Sequence, residues 1–166
     1  MLIRFAKHAN RPPTLNCVRD DGTASWYTAS PANAEFFVAH DLLHYVVETT
    51  LGYTSAFYGL VDAGRDLNDF GSRDGASDDR SYTSEAKDAE RLVGFIQVMA
   101  ATGDPPSLNM VTDAWNSSAK EHDSSAPPLS EEQLTEICTR WRDLVGQWHA
   151  VESAGTLELA FPKPLA

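Results

Sequence analysis

The sequence predicts an α+β fold, a mostly helical single domain with a small antiparallel sheet formed by an N-terminal hairpin and a C-terminal strand, and three observations carry that expectation. Short runs suited to strands occupy the first 30 positions, and one more follows near the C-terminus. Between them the apolar period changes to that of a helix. The chain has 166 residues, 42% of them hydrophobic, which is material for one ordinary core and too little for two.

The strands come first. LIRF opens the chain, and TLNCV and ASWYTA flank Arg19-Asp20-Asp21-Gly22-Thr23, where Asp-Gly offers the positive-φ residue that a tight hairpin needs. At the other end Leu157, Leu159 and Phe161 alternate with Glu158 and Ala160 until Pro162 stops the run. Helical periods extend from about Asn33 to Leu51, from about Ser55 to Leu67 and from about Ser84 to Ala101, with a shorter one over Leu108 to Trp115. The last helix is announced by Ser130 with Gln133 three residues on, a capping-box start. Its apolar stripe runs through Leu134, Ile137, Cys138, Trp141, Leu144, Val145 and Trp148. Polar, glycine- and serine-rich stretches at 71–84 and 116–130 read as surface loops.

A net charge of -11, with 13 scattered basic residues, argues against a nucleic-acid partner, because gripping phosphate requires clustered Lys and Arg. The opening MLIRFAKHAN lacks the apolar run of about seven residues that an export signal requires, and no window approaches the roughly 20 residues of a membrane span. A cytoplasmic protein is expected, without a membrane partner. In that compartment Cys17 and Cys138 read as reduced, small core hydrophobes.

Chemistry is concentrated in FFVAHDLLHYVVE, residues 36 to 48. On a wheel with His40 at zero, His44 falls at roughly 40°, Glu48 at roughly 80° and Asp41 at roughly 100°, so four titratable groups share one arc of a helix that is otherwise apolar nearly all round. A buried helix cannot carry such groups unless they satisfy one another or hold a ligand. Histidines at i and i+4 project from one side, one turn apart, where two ring nitrogens can reach one divalent metal. Zinc is the first candidate, since imidazole suits it. Glu48, a turn beyond, can hydrogen-bond the far nitrogen of His44, and Asp41 beside His40 is a candidate general base toward a water activated by the metal.

His40-Asp41-Leu42-Leu43-His44 resembles the HDxxH metal-binding segment of the coenzyme Q biosynthesis family and, more distantly, the HExxH helix of zinc metalloproteases. The match spans five residues. Twelve positions after the second histidine the coenzyme Q family carries a glutamate, and this chain carries Ala56. Asp41 stands where the proteases have their glutamate base, one methylene shorter. The resemblance implies metal ligation by His40 and His44 and nothing wider.

A third ligand is needed, and the order of preference is Glu85, Glu90, His149. Glu85 shares the stripe of Ala89, Leu92, Ile96 and Met99, whereas Glu90 lies beside Gly94 and Gln97. The expected function is a metal-dependent hydrolase or lyase acting on a small molecule, with His40, His44 and Glu85 on the metal and Asp41 and Glu48 as catalytic groups. The alternative is a non-catalytic partner-binding or stress-related module whose His/carboxylate cluster is a structural hydrogen-bond network. An enzyme needs its site open to a pocket, whereas a structural network is sealed. Three further readings complete the pass. The acids from Asp62 to Asp79 lack calcium-loop spacing, Arg65 is a candidate for a substrate anion, and Tyr45, opposite the polar arc, would be interfacial in a homodimer.

Overall fold

Strand β1 (Leu2–Ala6) pairs antiparallel with β2 (Thr14–Val18) on one side and β4 (Thr156–Ala160) on the other, and β3 (Ala24–Thr28) adds to β2, giving a four-stranded sheet in the order β3-β2-β1-β4. The computed structural model of the protein describes residues 1–70, 83–101, 103, 105–119 and 129–162. Gly22 takes φ 85° in the hairpin turn between β2 and β3, and the turn is tied by Gly22 N–H to Arg19 O and by Thr23 N–H to the Asp21 carboxylate. The register sets Ile3 opposite Cys17 and Leu159, and Phe5 opposite Leu15 and Leu157, so one face of the sheet is apolar.

That face packs on helices α1 (Ala34–Leu51), α2 (Phe57–Asp62) and α5 (Glu131–Ala150), through Val38, Leu42, Tyr58, Val61 and Trp148. Phe5 meets Trp148 edge to face at 6.4 Å. A second core cluster lies beyond α1, where its Leu43, Val46 and Val47 meet Ala89, Leu92, Val93 and Ile96 of α3 (Ser84–Ala100), Val111 and Trp115 of α4 (Leu108–Ala119), and Leu134 and Ile137 of α5. Helix α1 therefore belongs to both clusters, which is why its sequence is apolar around nearly the whole circumference. Cys17 and Cys138 are free and buried, one in each cluster.

Helix ends follow local chemistry. Ser130 and Gln133 form the expected capping box on α5, Thr83 Oγ accepts Ala86 N–H at the start of α3, and Gly52 closes α1 at φ 71°. The second helix is shorter than the period suggests: it spans Phe57–Asp62, and Leu67–Phe70 form a separate 3-10 turn. Gly64, at φ 111°, ends it. Its beginning is pressed against the preceding loop, since a Cβ on Gly59 would sit 2.2 Å from the Thr54 carbonyl oxygen. Helix α4 in turn runs past Trp115 to Ala119.

Most of the two expected loops, residues 71–82 and 120–128, lies outside the described residues, as do Asp74, Asp78 and Asp79 of the acidic segment. Asp66 bonds the backbone and side-chain N–H of Asn68 in a local turn, and Arg65 stacks on Phe70 at 4.5 Å. Tyr45 is half-buried inside the chain, its ring against Tyr58 and its hydroxyl donating to Ala160 O at 3.1 Å. No helix among the described residues is long and apolar enough to cross a membrane.

Two glycine substitutions should move thermal stability in opposite directions. Gly146 lies on an exposed part of α5 where a Cβ meets nothing within 4 Å, so Gly146→Ala should stabilise by about 1 kcal/mol through helix propensity. Gly59→Ala, which must push a backbone carbonyl aside, should destabilise by about 2 kcal/mol or more in the same calorimetric experiment.

Candidate metal centre

Helix α1 presents His40 and His44 one turn apart, and α3 brings Glu90 beside them. One ligand atom from each lies within 4.8 Å of the others, so the three can hold a metal ion. Among the described residues this is the group of His, Cys, Asp and Glu side chains close enough to share one. The imidazole rings meet edge to face with centroids 4.8 Å apart.

His44 is buried, with a carboxylate on each side of its ring: Glu90 Oε1 lies 3.5 Å from Nε2, and Glu48 Oε1 lies 3.8 Å from Nδ1. The second distance is an ion-pair separation, and Nδ1 has no closer partner within the described structure. Burial alone would push the imidazolium down, but the two carboxylates outweigh it and raise His44 to about 9. This donor set suits a cation at Nε2, shared with Glu90, while Glu48 steadies the ring from behind.

Glu48 is fully buried and does a second job. Its carboxylate accepts the N–H groups of Tyr58 at 3.0 Å and Gly59 at 3.3 Å, which belong to the first turn of α2. The residue before that helix, Ala56, has no side chain able to cap it, so an acid from α1 supplies the cap. Gly59 is thus held on two sides, by Glu48 at its N–H and by the Thr54 carbonyl where a Cβ would sit.

His40 is oriented from another direction, with Nδ1 2.9 Å from Gln97 Oε1 and its ring stacked on Phe36 at 5.8 Å. Burial and the neighbouring His44 depress its affinity for protons, with Gln97 opposing. A neutral ring whose Nδ1 donates to Gln97 leaves Nε2 free to bind a metal. Asp41 turns toward the sheet: it is buried, and Tyr27 of β3 donates a short hydrogen bond to its Oδ2. Burial raises its carboxyl to about 7, opposed by the Tyr27 hydroxyl.

Of the other candidates, Glu85 is engaged elsewhere. It accepts the backbone N–H of Thr54 and Ser55 and the Ser55 hydroxyl, at 2.6 to 2.8 Å, and so ties the α1–α2 connection to α3. His149 sits in the exposed last turn of α5, 3.6 Å from Glu35. The structure therefore brings together His40, His44 and Glu90, with Asp41 and Glu48 around them. Sequence reasoning did not single out Gln97 or Tyr27. Glu90, Gly94 and Gln97 do recur at i, i+4 and i+7, a polar and small-residue stripe alongside the apolar one on α3, and that was the available signal.

The three grouped side chains open onto a cleft of about 510 Å³, lined also by Tyr27, Phe37, Asp41, Phe57 and Phe70. Glu90 is about half exposed to it, at 51%. The cluster is not sealed, and this feature separates a site from a closed core network.

The two acids near His44 should differ sharply on removal. Glu48→Ala leaves two buried N–H groups without an acceptor and should cost about 3 kcal/mol in denaturant unfolding, whereas Glu90→Ala, at a half-exposed position, should cost about 1 kcal/mol, because it takes only the Nε2 partner of His44. Comparison of the chain with protein-family models, with curated proteins and with solved structures finds no match, so the reading of this site rests on its geometry.

Proposed function

We propose that the protein is a metal-dependent hydrolase or lyase acting on a small molecule, with a divalent cation, zinc first, held by His40, His44 and Glu90. The observation that carries this reading is the convergence of three donor atoms within 4.8 Å on the wall of an open cleft. Two imidazoles and one carboxylate form a donor set found at catalytic zinc sites that keep a position for substrate. The likeness of His40 to His44 to the HDxxH segment of the coenzyme Q family supports ligation by the same pair. A bound cation would supply Lewis-acid polarisation of a carbonyl or phosphoryl oxygen.

The remaining work falls to the chain. Gln97 fixes the His40 ring at Nδ1, and Glu48 faces Nδ1 of His44 at ion-pair distance, so Nε2 of each ring is the nitrogen offered to a cation. Asp41, on the cleft wall and poised near neutrality, receives or returns a proton at its carboxylate, while the Tyr27 hydroxyl keeps that carboxylate in place. Phe37, Phe57 and Phe70 place an apolar patch on the cleft wall beside its polar groups, a surface for the apolar part of a substrate.

A second reading has one observation in its favour. His44 lies between Glu48 and Glu90 and is raised to about 9, so a protonated ring would satisfy both acids with no metal present. In that case the protein is a non-catalytic module and the cluster is a structural ion network.

Metal content separates the two. Full-length protein purified without chelator and measured by inductively coupled plasma mass spectrometry should carry near-stoichiometric metal, which His44→Ala should abolish. Gln97→Leu should weaken zinc binding by about 10- to 100-fold, since it frees the ring of His40. Glu85→Gln should leave zinc affinity unchanged, because Glu85 serves the Thr54–Ser55 backbone. Wild-type protein that arrives metal-free and cannot be loaded with zinc, iron or manganese would sink the metal reading in favour of the network.

A further inference from the structure

A second cavity, of about 630 Å³, is bounded by α1, α3, the segment after α3, and α5, and His40 lines both this cavity and the metal cleft. Gln97, which fixes His40, lines the second cavity alone, whereas His44 and Glu90 line only the first. The walls of the second cavity are largely apolar: Phe36, Val98, Pro105, Pro106, Trp141 and Val145. Phe36 and Val98 leave 55% and 72% of their surface in solvent, an exposure that a bound apolar molecule would relieve. Trp141 is pinned by its indole N–H to Ala39 O at 2.8 Å, so this wall is already formed.

Against these walls stands a single formal charge. Arg142 is the only charged residue among the described residues lining the cavity, and it forms no ion pair among the described residues. A cavity of this size accepts a small organic molecule and not a macromolecule. Apolar walls select a hydrocarbon or aromatic body, and a guanidinium with no acidic partner among the described residues selects a carboxylate, which it can bind through two parallel hydrogen bonds.

We propose that this cavity binds a small organic acid, a monocarboxylate with an apolar chain or ring, its body against Phe36, Trp141 and Val145 and its carboxylate at Arg142, and that its occupancy is coupled to the metal centre through His40 and Gln97. The ligand half stands on the cavity alone, and the coupling half rests on the metal reading above. A molecule packed against Gln97 changes the freedom of the residue that holds His40. By linkage, any factor by which the acid alters zinc affinity must equal the factor by which zinc alters affinity for the acid.

The test uses octanoate as probe and 1-octanol as its uncharged counterpart, titrated calorimetrically into the full chain, metal-free and zinc-loaded. Wild type should bind octanoate at least tenfold more tightly than octanol, and Arg142→Gln should erase that preference. Gly94→Leu fills the cavity from a position where a Cβ meets nothing within 4 Å, so it should fold normally by circular dichroism and lose at least tenfold in affinity for both probes. Zinc should change the octanoate Kd at least threefold, and octanoate should change the zinc Kd by the same factor. Equal affinity for the two probes in wild type, or undiminished binding by Gly94→Leu, overturns the ligand assignment. Zinc that binds without altering the octanoate Kd overturns the coupling alone. Zinc that does not bind overturns the metal reading and the coupling with it, and the two probes still decide the ligand half.

Discussion

A buried carboxylate with no water to lean on must find its hydrogen bonds in the protein, and Glu48 is where this fold meets that requirement. It sits in the last turn of the helix that both core clusters share, and it accepts backbone N–H groups from the start of the next helix while facing His44. The start of α2 and the surroundings of the His44 ring both depend on that one acid. Glu85 repeats the device one loop earlier, on Thr54 and Ser55, so the turn between α1 and α2 is gripped from two helices. A cleft whose back wall is fixed in this way can keep two imidazoles aligned without any ligand present.

The same logic orders the surroundings of the site. Each histidine has a partner at Nδ1, Gln97 for His40 and Glu48 for His44, and Asp41 has Tyr27. Those partners come from three different elements: α3, α1 itself and β3. The sheet therefore contributes to the site through one hydroxyl, even though none of the metal-ligating candidates lies on a strand. The arrangement is consistent with preorganisation, in which supporting groups fix geometry before anything binds.

How much of this was legible beforehand follows from which signals are local. Strand alternation, the Asp-Gly turn and the Ser130–Gln133 cap depend on near neighbours in sequence, and the architecture built on them is the one observed. The polar arc of α1 was equally readable, because a helical wheel needs only the helix. What could not be read is which edge of α3 faces that arc. Choosing between Glu85 and Glu90 requires the crossing of two helices separated by more than thirty residues, and an inward-pointing stripe on α3 marks its core contact, not its contact with the histidines. The short α2 was hidden for a related reason: its start is set by Glu48, an acid outside the segment, and its end by the positive φ of Gly64. Tyr27 and Gln97 carry no pattern of their own and become visible only through their partners.

The pairing of β1 with β4 has a consequence for how the chain acquires its shape. Residues joined across that ladder are about 150 positions apart, Arg4 and Glu158 among them, so one edge of β1 stays open until nearly all of the intervening helices exist. Closing so long a loop is an entropic cost met late, and a topology of this kind folds more slowly than a helical bundle of equal size. During synthesis the histidine helix, apolar on almost every side, must wait for α5 and the last strand before it is covered. The period of greatest danger for this protein is therefore the interval on the ribosome when α1 has emerged and its two cores have not, and a nascent chain arrested there should be the species that chaperones hold and that aggregates when they do not.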